Sequence, residues 1–224
     1  MVYLYKDSRE GAFLREMLKD FKGVLISDFF AAYDGIECDQ QKCLIHLMRD
    51  LNDNVLKHPY DEELKIIVRE FAVLLKSIVD TIDRRGLKKR FLRKHQLNVD
   101  RFYRKIVKLE CKSEEATRCR NRFVRNRSKL FVFLSHDGIP WHNNNAEHAI
   151  KAFSKLRDIT RGSFTERSIE KEMILLSICQ TCKYSNLDFF EFLRSGERDI
   201  YAFAESLRGR RRLSTRREQL GLPH

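Results

Sequence analysis

Two carboxylates stand where the sequence could place a divalent cation. Asp28 directly follows the apolar run Gly23–Ser27, and open α/β sheets bind ligands at the carboxyl ends of buried strands. Glu147 lies on the flank of the apolar stripe of a later predicted helix. Carboxylates are the ligands that Mg²⁺ prefers, and two such ions about 3.5–4 Å apart can activate the attacking oxygen and stabilise the leaving oxygen at a phosphodiester. In a basic protein, such a pair makes metal-dependent phosphoryl transfer on nucleic acid a candidate activity, although carboxylates near strand ends are common.

Each carboxylate also suits a structural role. Phe29–Tyr33 can begin a helix, and because Asp is a favoured N-cap, the local sequence by itself favours capping for Asp28. Asn144 and Glu147 have the spacing of a capping box, in which the Glu side chain reaches back to the cap amide. For Glu147 the two interpretations stay open.

Other chemical motifs are weak or missing from the sequence. Cys38, Cys43 and His46 are close in sequence, but a closed zinc site needs four ligands, so we expect a structural role. No Gly-rich phosphate loop or nucleophile elbow occurs, which argues against nucleotide hydrolysis and acyl transfer. Six irregularly spaced cysteines predict reduced thiols rather than a disulfide framework.

The composition predicts a folded, mainly helical protein that binds a polyanionic partner. A net charge of +12 in 224 residues points to a polyanionic partner, while 42% hydrophobic residues exclude disorder throughout. The low content of Gly and Pro favours a helical protein. The longest apolar runs are far too short to cross a bilayer and no signal peptide is recognisable. We therefore expect a soluble, cytoplasmic, nucleoid-associated protein without membrane contact.

The elements that must position the carboxylates change character along the chain. Val2–Tyr5 predicts a strand, the segment 14–21 a helix after a possible Ser8 cap, and Gly23–Ser27 a strand buried on both faces. This is the opening of an α/β layer. From Lys42 onward the spacing of apolar residues is helical, with Asp61 as a predicted cap.

The middle of the chain is helical and strongly basic, with few acidic residues beside it. Cations cluster at residues 84–94 and again at 118–129. Such runs of charge ordinarily indicate a solvated helix face. Leu130–Leu134 predicts a strand or the buried end of a helix. A turn at Asp137 and a loop up to Asn145 precede the Glu147 helix, and two further helices are expected over 166–184 and 187–194. Beyond Glu205 we expect a mobile polybasic arm.

Three blocks of this sequence together resemble the central domain of insertion-sequence 66 family transposases. They are Gly23–Tyr33, Cys43–Arg49 and Asn144–Lys151, in that order, and the resemblance runs from near residue 2 to about residue 193. It implies an α/β fold with a ribonuclease H-like core interrupted by a large, mainly helical insertion. It also implies DNA cleavage and strand transfer by an Asp, Asp, Glu triad that holds Mg²⁺ or Mn²⁺.

Carried over residue by residue, the resemblance makes Asp28 the second carboxylate and Glu147 the third. It predicts core segments at 1–50 and 136–195, a basic helical insertion at 51–135 and a basic arm at 196–224. Basic residues expected to contact transposon-end or target DNA are Arg49, His148, Lys151, Arg161, Arg210, Arg211 and Arg212.

The chain departs from the family pattern in two places. The family's first Asp lies on a strand upstream of Met1, and Asp7 does not match its motif, so we expect an N-terminally truncated, incomplete core with two of three carboxylates and little activity alone. His148 stands where the family usually has Arg, which leaves a titratable charge beside the Glu. The alternatives are a non-catalytic DNA-binding remnant, or a regulatory fragment that pairs with itself or with a full-length transposase through an exposed sheet edge.

Overall fold

The structure, a computed structural model, describes residues 1–6 and 11–208, with only the backbone of Glu166 and Arg167. The described residues fall into two compact units. The first unit comprises residues 11–144, and the second comprises residues 1–6 and 145–208. The predicted boundaries at residues 50 and 135 do not coincide with this division by contacts. Assignment of 1–50 and 136–195 to one core therefore stays a prediction.

The first unit contains a short helix and a small parallel sheet, and it continues as helices. Its elements are α1 (Gly11–Met17), β1 (Val24–Ser27), a 3₁₀ turn (Ala31–Tyr33), β2 (Asp39–Lys42), α2 (Leu44–Lys57), α3 (Glu62–Arg85), α4 (Lys89–Leu92), a 3₁₀ turn (Arg93–His95), α5 (Gln96–Lys108), α6 (Glu114–Arg125), α7 (Arg127–Leu130) and a 3₁₀ turn (Val132–Ser135). The predicted strand and long helical stretch are confirmed, whereas the helix predicted over residues 14–21 forms over Gly11–Met17 instead. The chain is mostly helical, which is compatible with an α/β class.

The sheet of the first unit pairs β1 with β2 in parallel, with Val24 opposite Asp39 and Ser27 opposite Lys42. Only Ser27 of β1 is buried and the rest of that strand is half-buried, so the prediction of a strand buried on both faces is wrong. The physical reason is that β1 pairs with one strand alone among the described residues. Gln41 of β2 anchors the sheet, because its buried side chain donates to the Leu130 carbonyl and accepts from the Phe133 amide.

The core of the first unit is an aromatic and aliphatic cluster between α3, α5 and α6. Phe123 is fully buried, with ring centroids 5.0 Å from Phe71 and 5.2 Å from Phe102. The Asp61 carboxylate caps α3 by accepting from the Leu64 amide, as predicted. Leu130–Leu134 forms the end of α7 and a 3₁₀ turn, so its helical alternative is confirmed and the strand is wrong.

The second unit is helical throughout its regular structure. Its elements are α8 (Asn144–Ile159), which starts at the last residue of the first unit, α9 (Glu166–Tyr184), α10 (Phe189–Ser195) and a helix over residues 200–208. Ile169 and Met173 of α9 are buried, as the predicted stripe requires. No helix in the described ranges has the length and apolar character that crossing a membrane requires.

Two predicted segments of the second unit differ from expectation. Val2–Tyr5 forms no strand, because the Tyr3 amide donates to the Ser177 hydroxyl of α9 instead of to a neighbouring strand. Residues 200–208, within the segment predicted as an arm, are helical, and Phe203 packs in a buried cluster with Cys182 and Phe192. Arg210, Arg211, Arg212 and the Asp7 and Ser8 positions lie outside the described residues.

Candidate functional site

Asp28 lies immediately after β1, at the carboxyl edge of the sheet. Its Oδ1 accepts a hydrogen bond from the Phe30 amide at 2.9 Å, which orders the turn before the 3₁₀ turn Ala31–Tyr33. The capping alternative is therefore present in the structure, although it fixes a turn rather than an α-helix. Within the described part of the chain Oδ2 accepts no hydrogen bond, so one oxygen of this half-buried carboxylate remains available as a ligand.

Cys43 brings a second segment to the same edge of the sheet. The Cys43 amide donates to the Ser27 carbonyl at 2.8 Å, so the residues that follow β1 and β2 are neighbours. The fully buried Cys43 Sγ accepts from the Asn143 amide at 3.4 Å, and the Leu44 amide donates to the Trp141 carbonyl at 3.0 Å. The loop before α8 is thereby attached to the start of α2.

Asn143 adds an oxygen that the sequence interpretation missed. Its Oδ1 is buried and has no hydrogen-bond partner among the described residues. An uncompensated buried amide oxygen costs free energy, which a cation or a bound water would relieve. The run of three Asn at residues 143–145, where α8 begins, was the available signal, because amide oxygens are hard ligands of the kind that Mg²⁺ and Mn²⁺ take.

Glu147 lies in the first turn of α8 and is half-buried. The helix begins at Asn144, which moves the cap position to Asn143 and shifts the spacing away from that of a capping box. The sequence pattern predicts an apolar stripe of Ala146, Ala149, Ile150 and Phe153. This prediction is wrong in part, because Ala146 is exposed and Ile150 is 61% exposed, while Ala149 and Phe153 are half-buried. The inner face of α8 therefore follows residues 149 and 153 rather than 146 and 150.

The electrostatics near β2 are dominated by one acid between two lysines. Lys42 is 1% exposed and its Nζ lies 3.0 Å from Asp34 Oδ1; Lys129 Nζ reaches the same oxygen at 3.0 Å. Burial by itself would raise the pKa of Asp34, but hydrogen bonds from Lys129 and Lys42 hold this pKa below its usual value. Burial, and then the Asp28 charge, raise the pKa of the Tyr33 hydroxyl. Asp34 thus neutralises structural lysines and is unsuited to bind a metal.

The predicted DNA contacts lie on different units. Arg49 is an exposed residue of α2, whereas His148 and Lys151 are exposed on α8. Arg161 follows α8 with φ of 51°, in the left-handed region where its amide donates to the Asp158 carbonyl and ends the helix. Asp28 belongs to the first unit and Glu147 to the second, so their sharing of one cation stays a prediction.

Comparison with known families gives one match. The family model described as "Transposase IS66 family" matches residues 1–171, well over half of the chain. Neither the curated proteins nor the solved structures include one that is similar to this chain. The match includes both carboxylates and all three sequence blocks that suggested the resemblance, and the chain therefore belongs to the IS66 family of transposases.

Proposed function

We propose that this chain performs or assists metal-dependent DNA transposition, with Asp28 and Glu147 as two ligands of a divalent cation. Family membership supports the transposase activity. The single observation on the residues that supports the site is the carboxyl edge of the sheet, where Asp28 keeps one oxygen available and Asn143 has a buried oxygen with no partner among the described residues. The proposal places this edge in a ribonuclease H-like core.

The donor set suits a hard cation. Carboxylate and amide oxygens from Asp28, Glu147 and Asn143 match the preference of Mg²⁺ or Mn²⁺ for oxygen, whereas the buried Cys43 thiol is occupied by the Asn143 amide. When bound, such ions supply activation of the attacking oxygen and stabilisation of the leaving oxygen. The chain's own part would be to orient Asp28 through the Phe30 amide.

The proposal includes weak or absent strand cleavage by the 224-residue chain alone. By the resemblance, Asp28 and Glu147 would be the second and third carboxylates, and no residue of this sequence is assigned as the first. Two ions held by two carboxylates would be poorly neutralised and poorly positioned. A partner, either a second copy or a full-length transposase, would then be needed for activity.

Metal titration tests the ligand assignment. Calorimetry with Mn²⁺ should show binding by the unmodified chain and at least about tenfold weaker binding by Asp28→Asn and Glu147→Gln, because each removes a charged ligand. Asp53→Asn is the matched control, since this exposed aspartate of α2 is outside the proposed site. Unchanged Mn²⁺ affinity in both site variants would contradict the assignment.

The second candidate is a DNA-binding protein without cleavage activity, favoured by the net charge of +12. It predicts duplex binding that weakens linearly in log[salt] and has little sequence preference. Nicking of supercoiled plasmid separates the two. Mg²⁺-dependent nicking that Glu147→Gln abolishes would establish the enzyme and refute the expected weakness of the chain alone.

A further inference from the structure

The turn between α3 and α4 has the densest group of cations without acidic partners. This basic turn, residues 84–94, holds seven cationic side chains, all of them exposed. They are Arg84, Arg85, Lys88, Lys89, Arg90, Arg93 and Lys94. Within the described ranges none forms an ion pair, whereas surface cations elsewhere in the first unit do. Concentrated like charge of this kind destabilises the isolated protein and is relieved by a polyanion.

The second cluster of cations has a different environment. Residues 118–129, here the basic segment, hold six cations, of which four pair with carboxylates. Arg122 binds Asp50 at 2.6 Å and Arg127 binds Asp100 at 2.9 Å. A fifth, Arg120, donates to the Leu109 carbonyl at 2.9 Å. These five cations already bind partners within the unit, so they are poorly placed to bind an external polyanion.

The backbone of the basic turn is fixed by the fold. Gly86 ends α3 with φ of 69°, a backbone conformation that residues other than glycine disfavour. The Leu87 carbonyl accepts from the Gly138 amide at 2.8 Å, and the Lys89 amide donates to Asp137 at 2.8 Å. Leu92 is fully buried in the core. The cations are therefore presented on a preorganised surface, which lowers the entropic cost of binding.

The apolar residues of the basic turn limit the kind of polyanion. Leu87 and Phe91 are half-buried, so the turn lacks the apolar face that an amphipathic helix inserts into a membrane. The guanidinium carbons of Arg85 and Arg90 lie 5.6 Å and 4.5 Å from the centre of the Phe91 ring. Since two arginines cover this ring, it offers no platform on which single-stranded bases could stack.

We propose that the basic turn is the surface of the first unit that holds the phosphate backbone of duplex DNA. The choice of duplex DNA rests on the proposed function. The position of the surface rests on the fixed backbone of the basic turn and on its seven exposed cations, none of which forms an ion pair within the described ranges. Contacts would be to phosphates rather than to base edges, so affinity should depend on salt and little on sequence. In the sequence, nothing distinguishes the two basic clusters in their availability to DNA.

Salt-dependent binding to a duplex of about 30 base pairs tests the proposal. Removing three cations from the turn, with Lys88→Gln, Lys89→Gln and Arg93→Gln together, should reduce the slope of log affinity against log[salt] by about 2–3 and the affinity at ~0.1 M salt by about tenfold or more. The matched control removes three cations that are ion-paired, with Lys65→Gln, Lys105→Gln and Arg118→Gln together. This control should retain nearly the full slope.

Equal losses in the two triple variants, or no loss in the turn variant, would overturn the proposal while leaving DNA as the partner. Absence of duplex binding by the unmodified chain would overturn the proposed function as well. Tighter binding to single-stranded RNA or to anionic lipid vesicles would also refute it. A readout on the unmodified protein guards against misfolded variants, because duplex DNA should protect Lys88, Lys89 and Lys94 from acetylation but leave Lys105 reactive.

Discussion

The basic turn and the basic segment have similar charge in the sequence but opposite surroundings in the structure. Cations of the turn are exposed and lack acidic partners among the described residues, whereas most cations of the segment bind carboxylates. Three of those carboxylates come from far along the chain, because Asp100, Asp50 and Asp34 lie 27, 72 and 95 residues from their partners. A run of positive charge in a sequence therefore does not reveal whether it is available to DNA.

Core truncations should separate the two regions most strongly. Phe123→Ala in the basic segment should lower the free energy of unfolding by about 3–5 kcal/mol, because Phe123 is fully buried against Phe71 and Phe102. Phe91→Ala in the turn should cost less than about 2 kcal/mol, since its ring is half-buried. Urea denaturation measures both. Equal losses would contradict the structural role assigned to the segment.

The free energy of unfolding should depend on pH through His95, the buried histidine that follows the basic turn. His95 is 3% exposed, and because the Thr81 hydroxyl donates to the Ser77 carbonyl, His95 Nε2 donates to that hydroxyl. Burial, and then the charge of Lys94, lower the pKa of His95. The unfolded chain then binds a proton before the folded chain does, so stability should fall as pH drops below about 6.5, by up to about 1.4 kcal/mol per pH unit.

Chemical denaturation between pH 7.5 and 5.5 measures that loss, and His95→Gln is the control. The variant should show a flatter dependence on pH in this window, because it has no titratable group at this position. A dependence that is the same in both proteins would show that another group is responsible.

Single arginine substitutions give the smallest expected difference. Arg122→Gln in the basic segment should lower the free energy of unfolding by about 1 kcal/mol, because it removes the Asp50 ion pair and the 4.3 Å contact with the Phe29 ring. Arg93→Gln in the turn should change it by less than about 0.5 kcal/mol. Thermal denaturation at fixed salt compares the stability of the two variants. A larger loss for Arg93→Gln would reverse the assignment of structural and binding roles.

Local patterns predicted much of the fold because its helices have strong signals. The Asp61 cap, the strand before Asp28 and the apolar stripe of α9 all depend on neighbouring residues. Patterns failed where distant contacts decide the structure. Tyr3 bonds to Ser177 instead of to a strand, and Gln41 of β2 bonds to the backbone of residues 130 and 133, which become helical turns.

The candidate site shows the same division. The position of Asp28 at a strand end followed from the run of apolar residues before it. The attachment of Asn143 to Cys43 did not follow, because the two residues are 100 positions apart. Only folding brings an amide at one end of that interval to a thiol at the other.

The most direct measurement asks whether Asp28 and Glu147 hold one cation. Fe²⁺ bound in place of Mg²⁺, with ascorbate and peroxide, produces radicals that cut the backbone close to the ion. We expect cuts near residue 28 and near residue 147 in the same reaction, and loss of both sets in Asp28→Asn and in Glu147→Gln. Cuts at only one of the two positions, or cuts at residue 147 that survive Asp28→Asn, would contradict a shared cation.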